Sequence, residues 1–192
     1  MPLSAERQSG AGPEIHYKLR WFERLEEHAG GLLASGAPIV LAGDYNVMRT
    51  ELDVYAPERW VDDALFRPEG REAFRRLTGQ GWTDALRALY PNERIYTFWK
   101  YFRNAFARDA GLRIDHLLLS PPIASRLVAA GVDRATRGRK HASDHAPAWI
   151  EVAETKSGPR RGRSVVASAL HHNSPCGGST AVAQASPLDL PG

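Results

Sequence analysis

The stretch Pro38-Ile39-Val40-Leu41-Ala42-Gly43-Asp44-Tyr45-Asn46 constrains this chain more than any other. A short apolar run opened by proline and closed by glycine reads as a buried strand. It ends in a polar pair, Asp44 and Asn46, where the strand leaves the core. Side chains two apart on an extended chain point the same way, so a carboxylate and an amide converge on one spot. Strand C-terminal ends are where α/β proteins place their chemistry. A plain turn is the competing reading, since Asp and Asn also favour strand ends.

On either side the pattern alternates between helix and strand. Residues 1–13 are small and polar and read as a flexible lead-in. Leu19, Phe22, Leu25, Ala29 and Leu32 recur at helical spacing, which predicts a helix over 15–33 closed by Ser35-Gly36. An irregular segment runs to about Pro68. A second amphipathic helix is expected at 69–78, with Ala73, Phe74 and Leu77 inward. Thr83 or Asp84 then caps a short helix to Leu89, stopped by Pro91. The aromatic run Thr97 to Phe102 predicts a strand. Leu112 to Ser120 is the next one, with Asp115 near its start. Pro121-Pro122 open a helix to about Ala130, Val132 to Arg137 reads as a short strand, and Ala146 to Val152 closes the fold. From 154 to 192 Ser, Gly, Pro and Ala recur without period, and that segment is expected to be disordered. Residues 14–153 thus form one domain.

Composition narrows the class of molecule. A chain of 192 residues with 43% hydrophobic and 24% charged content has room for one ordinary globular core. No apolar run reaches membrane-spanning length, so no membrane partner is expected. The single cysteine, Cys176, makes no internal disulfide and suits a reducing cytoplasm. The formal net charge of +3 is carried entirely by Lys156, Arg160, Arg161 and Arg163 against Asp189. Net charge is therefore no argument for a polyanionic partner, and only local clusters can be.

Three polar islands fall at strand ends or loops: Asp44 with Asn46, Asp115, and Ser143-Asp144-His145. Singly each has a structural explanation; Asp115 can pair with Arg113, and Asp144 can form an Asx-turn. Together they supply what metal-assisted phosphoester hydrolysis requires. A hard cation takes oxygen ligands from Asp and Asn. The attacking water must be held and deprotonated, and the phosphoryl oxygens relieved of charge. A histidine fixed by a carboxylate does the latter. The scattered His and lone Cys make no zinc site, and there is no Gly-rich phosphate loop.

Taken in order, Gly43-Asp44-Tyr45-Asn46, Arg113-Ile114-Asp115-His116 and Ser143-Asp144-His145-Ala146-Pro147 resemble the exonuclease III family, the AP-endonuclease branch of the endonuclease/exonuclease/phosphatase superfamily. The linking text is also similar: His16-Tyr17-Lys18-Leu19-Arg20-Trp21, Asp53-Val54, Gly81-Trp82-Thr83-Asp84 and Tyr96-Thr97-Phe98-Trp99. The resemblance runs from about Glu14 to Val152. It implies the C-terminal half of a two-sheet α/β sandwich, mostly antiparallel and flanked by helices. It also implies roles. Asp44 resembles the residue that orients or deprotonates the attacking water or protonates the leaving oxygen, and Asn46 its partner on the scissile phosphate. His145 is similar to the phosphate-polarising histidine and Asp115 to the carboxylate that holds it. Asp144 resembles a metal-site carboxylate, with Asp44, Asn46 and His145 completing the set around Mg²⁺, or alternatively Mn²⁺. Trp99 resembles the aromatic lining an abasic-sugar pocket; core packing among Phe98, Tyr101 and Phe102 is its alternative. Arg139 and Lys140, in the basic cluster Arg137 to His141, are candidates for the DNA backbone.

The family's N-terminal half, with an early Asn, the main metal-binding Glu and a Tyr, has no counterpart in this sequence. The expectation is therefore a weakened metal site and a sheet with an exposed apolar face. The resemblance implies a cytoplasmic DNA repair nuclease acting on double-stranded DNA at abasic sites and 3′ ends, weak or inactive on its own. A phosphatase for a small phosphoester, or a non-catalytic remnant that binds nucleic acid, is the alternative. Oligomeric state is not legible.

Overall fold

The computed structural model describes residues 13–154 and, beyond them, two strands at 165–168 and 180–184. The lead-in expected at 1–13 lies, but for residue 13, outside the described residues. The chain runs through α1 (Pro13–Ala34), β1 (Ile39–Asp44), α2 (Pro68–Gly79), β2 (Thr83–Asp84), α3 (Ala85–Leu89) and β3 (Asp115–Leu119). It continues through α4 (Pro121–Ala124), β4 (Leu127–Val132), α5 (Arg134–Arg137), β5 (Ala148–Val152), β6 (Val165–Ser168) and β7 (Thr180–Gln184). Two antiparallel sheets result, ordered β2-β3-β1-β7 and β4-β5-β6.

The period of a strand explains how the layers stack. On β1, Ile39 and Leu41 face the helices and pack with Phe22, Leu25 and Ala29 of α1 and Ala73, Phe74 and Leu77 of α2. Val40 and Ala42 face the other way, with Leu117 and Leu119 of β3, against Ala130, Ala148, Ile150 and Val152 of the second sheet. The register pairs Leu41 with Leu118, Ala42 with Leu117 and Val40 with Leu119, so both central strands alternate in step. Continuing that alternation, Asp44 and Asp115 are cross-strand partners on the face that looks into the space between the sheets. The apolar rows of the sandwich thus end in two facing carboxylates.

Several expectations are corrected here. The aromatic run at 97–102 is not a strand: Phe98 makes single bridges to Leu112 and His145, and the chain then turns, with Arg103 and Asn104 in left-handed backbone. The helix from Pro121 stops at Ala124, and the alanine-rich continuation is β4. Pairing with β5 overrides the helix propensity of Ala129 and Ala130. The short strand expected at 132–137 is α5, capped by Asp133, whose side chain accepts from the Thr136 amide at 3.1 Å. The sheet with a bare apolar face is absent among the described residues, because the second sheet covers it. Large exposed apolar side chains are scattered instead, at Tyr17, Val61, Leu89, Tyr101, Phe102 and Val128.

The segment expected to be disordered contains β6 and β7, which pair with β5 and β1. Val165-Val166 and Val182 are β-branched, and an edge strand offers unpaired N–H and C=O groups. The remainder of that segment, with Cys176, lies outside the described residues.

Candidate active site

Asp44 ends β1, and the chain then turns sharply. Asn46 adopts φ of 51°, a left-handed conformation that Asn tolerates better than most residues. Its N–H donates to Asp44 Oδ1 at 2.8 Å, so the two residues brace each other. From β3, Asp115 is buried, and its Oδ2 accepts from His145 Nδ1 at 2.9 Å. A carboxylate can only accept, so the proton sits on Nδ1 and the imidazole is held in one orientation. His145 comes from the loop that leads into β5. That loop is docked by Trp99 N–H on Asp144 O at 2.9 Å and by Ala146 N–H on Thr97 O at 2.7 Å. Ser143 Oγ accepts from the His145 amide at 3.1 Å.

Burial of the His145 ring disfavours its charge. The hydrogen bond and charge of Asp115 outweigh that, with further help from Asp44 and Asp144, and its pKa is raised above the ordinary histidine value. Lys18, reaching in from α1, shows the reverse balance. Burial lowers its pKa to about 8 against the opposing pull of Asp44 and Asp63. The structure thus brings Asp44, Asn46, Asp115, Asp144 and His145 to one end of the sandwich.

Other expected site residues are placed differently. Trp99 is fully buried. Its Nε1 donates to Asp109 Oδ1 at 3.1 Å, and Tyr96 and Phe106 stand edge-on to its ring. Gly111 leaves room for it, since a Cβ there would come within 2.6 Å of Trp99 Nε1. Trp99 is therefore a core residue and does not line a pocket. The aromatic beside the site is Phe98, half-buried, with its ring centroid 4.9 Å from that of His145.

The basic cluster divides as well. Arg139 and Lys140 are exposed, but Arg137 is buried, with Nη2 donating to Trp99 O at 2.9 Å. The four expected metal ligands do not form a closed cage. Among the described residues no group of three or more His, Cys, Asp or Glu side chains comes together to hold an ion. His145 Nδ1 is committed to Asp115, and Asp44 Oδ1 to the Asn46 amide.

The fold also buries a charge cluster whose importance the sequence concealed. Arg113 is fully buried and donates to Asp53 Oδ1 at 2.7 Å and to both oxygens of Asp84 at 2.9 and 3.0 Å. Arg87 adds a bond to Asp53 Oδ1 at 2.6 Å. Burial alone would push both carboxyls up, yet Arg113 reverses this, bringing Asp53 down to about 2 and holding Asp84 lower still.

Strand-end carboxylates thus face each other across an antiparallel pair at one end of a two-layer α/β sandwich, one of them orienting a histidine. Residues 4–145 match the Endonuclease/Exonuclease/phosphatase family, and the chain belongs to it. It is 36% identical over 140 residues to the DNA repair nuclease APEX1 of Danio rerio, covering 72% of this chain and 44% of that protein. It is 33% identical over 139 residues to the exodeoxyribonuclease of Bacillus subtilis, covering 72% of this chain and 53% of that one. A 3′ phosphatase from Neisseria, solved bound to a product DNA hairpin, superposes with a TM-score of 0.71 at 36% identity, covering 73% of this chain and 55% of its own. The chain thus spans about half the length of the relatives it matches.

Proposed function

We propose that this chain carries the strand-end half of a DNA phosphodiester hydrolase active at abasic sites and 3′ ends. The carrying observation is the cross-strand pair Asp44 and Asp115, with Asp115 holding His145. Two like charges placed opposite each other cost stability. Hydrolysis gives them a use. Asp44 takes the proton of the attacking water as its oxygen bonds to phosphorus. His145, kept protonated by Asp115, sets positive charge against a phosphoryl oxygen. The bond from phosphorus to the leaving oxygen breaks, and that oxygen takes a proton from solvent. Asn46 positions the phosphate.

Mg²⁺ needs only one or two carboxylates when substrate phosphates and waters complete its shell. Asp44 and Asn46 are the residues that would hold it, with Asp144 beside them. A Mg²⁺ or Mn²⁺ ion would supply Lewis-acid charge relief there.

A duplex-sized substrate is supported by the surface beside the site. Tyr101 and Phe102 are 60% and 78% exposed. Tyr101 Oη donates to Ala142 O at 2.9 Å, tying this aromatic turn to the loop of Arg139 and Lys140. Exposed rings tied to a loop with exposed cations suit stacked bases and a phosphate backbone.

The test is incision of a duplex bearing one abasic site, and of a recessed 3′ end, with Mg²⁺, Mn²⁺ or EDTA. Cation-dependent cleavage that is lost in Asp44→Asn supports the reading. Cleavage unchanged in Asp44→Asn, or activity confined to a small phosphoester, overturns it.

A further inference from the structure

The segment that carries Asn46 out of β1 has no regular backbone pairing, and side chains take over that task. Unpaired buried carbonyls are costly, so each must find a donor. The Val47 carbonyl lies 2.9 Å from His116 Nε2 of β3. The Arg49 carbonyl accepts from Arg71 Nε of α2 at 2.9 Å. The Asn46 carbonyl accepts from Lys18 Nζ of α1. Lys18 also donates to Ala64 O at 2.8 Å, so one ammonium joins the catalytic turn to the loop ahead of α2.

Of these three donors, Lys18 is the one that grips the residue in left-handed backbone. The peptide unit it holds fixes where the Asn46 side chain leaves the chain, while the Asn46 N–H is tied to Asp44. We infer that Lys18 is a positioning residue: from α1 it locks the Asp44–Asn46 turn in the geometry that presents both side chains to one point. It acts through the Asn46 backbone and touches no substrate. The consequence for cleavage rests on the function proposed above; the lock itself does not.

The experiment compares Lys18→Met with Arg126→Met in the full chain. Arg126 makes the same kind of bond, Nε to Ala153 O at 2.6 Å, far along the fold at the start of β4. Amide hydrogen exchange is read by NMR at Asn46, whose N–H is protected only while the turn is closed. Lys18→Met is expected to speed Asn46 exchange by about tenfold or more, while amides in β3 and β5 keep their rates. Arg126→Met should leave Asn46 unchanged.

Where the wild-type chain cleaves DNA, kcat should fall by up to about a hundredfold with KM little altered, as misplacement of a reacting group predicts. Lys18→Arg, which keeps a donor and the charge, should recover part of both readouts. Should Lys18→Met fail to fold, Lys18→Gln carries the same comparison. Asn46 exchange unchanged in the Lys18 variants, or altered equally by Arg126→Met, overturns the inference. A wild-type chain without nuclease activity would count against the proposed function alone, because the exchange measurement needs neither DNA nor metal.

Discussion

Two clusters of charge in this fold each set carboxylates around one cationic side chain and differ in how deeply that side chain is buried. In the inner one, Arg113 is fully buried and its guanidinium supplies donors to both Asp53 and Asp84. In the outer one, Asp44, Asp115 and Asp144 all act on a single imidazole, His145, which is only half-buried. In the inner cluster every N–H-bearing nitrogen of the Arg113 guanidinium is spent on Asp53 and Asp84. The outer one centres on a ring that solvent partly reaches. A paired buried charge is costly to disturb, whereas a charge held at an opening is available for chemistry.

The largest expected effect separates the two clusters by activity. With cleavage measured as above, Asp44→Asn should lower the rate by about 10²–10⁴, the usual loss for a proton-transfer group, and His145→Asn by about 10²–10³, that for a charge-stabilising donor. Their urea midpoints should stay close to that of the parent chain. Should either variant unfold the protein instead, the outer cluster would be structural and the contrast would collapse.

Next in size is the inner cluster. Arg113→Met leaves two carboxylates buried without their shared cation and should cost about 3–5 kcal/mol in urea unfolding. A loss below about 1 kcal/mol, the range of an exposed ion pair, would show that solvent reaches Asp53 and Asp84.

The clusters should also answer to pH from opposite sides. Asp53 and Asp84 have depressed pKa values, so their stabilisation is present above the unfolded value of about 3.9. It is lost as pH falls, for Asp53 through about 2. His145 has a raised pKa, so its contribution is full below about 6.5 and disappears as pH rises through the folded value. Asp115→Asn removes the hydrogen-bonded carboxylate and should lower the His145 pKa, followed by NMR of the ring protons. A titration unchanged by that substitution would dissociate His145 from Asp115.

How much of this could be read in the chain depends on whether a feature is local. The helix of Phe22 and Leu25, the strand ending at Asp44 and the cap at Asp84 are set by period and capping, and all are found where the pattern puts them. Asp44 and Asp115 were both legible as strand-end carboxylates. That they stand opposite each other follows from the register of β1 on β3, which no single stretch contains. The alanine run at 129–130 misled because its conformation is decided by β5, some twenty residues away. At Trp99, core packing, the alternative to the role the resemblance implied, is what the structure has. The neighbours of Trp99 along the chain are aromatic, but the choice between Trp99 and Phe98 at the site is made by Gly111 and Asp109, which draw the indole inward. The Arg113 cluster joins residues sixty apart in sequence and shows itself only in three dimensions.

The smallest effect is the one that sharpens the division of the basic loop. Arg139 and Lys140 are exposed beside the site, whereas Arg137 is buried over the rings of Tyr101 and Phe106. If the exposed pair touches phosphates, each contact releases counterions, and the dependence of log affinity on log salt carries about one unit of slope per contact. Arg139→Gln with Lys140→Gln should therefore shallow the slope for duplex binding by about two units and leave stability unchanged. Arg137→Met should do the opposite, lowering stability through lost packing on Trp99 O and the two rings while the slope holds. A slope that follows Arg137 instead would mean that the helix α5 side of the loop, rather than its tip, meets the DNA.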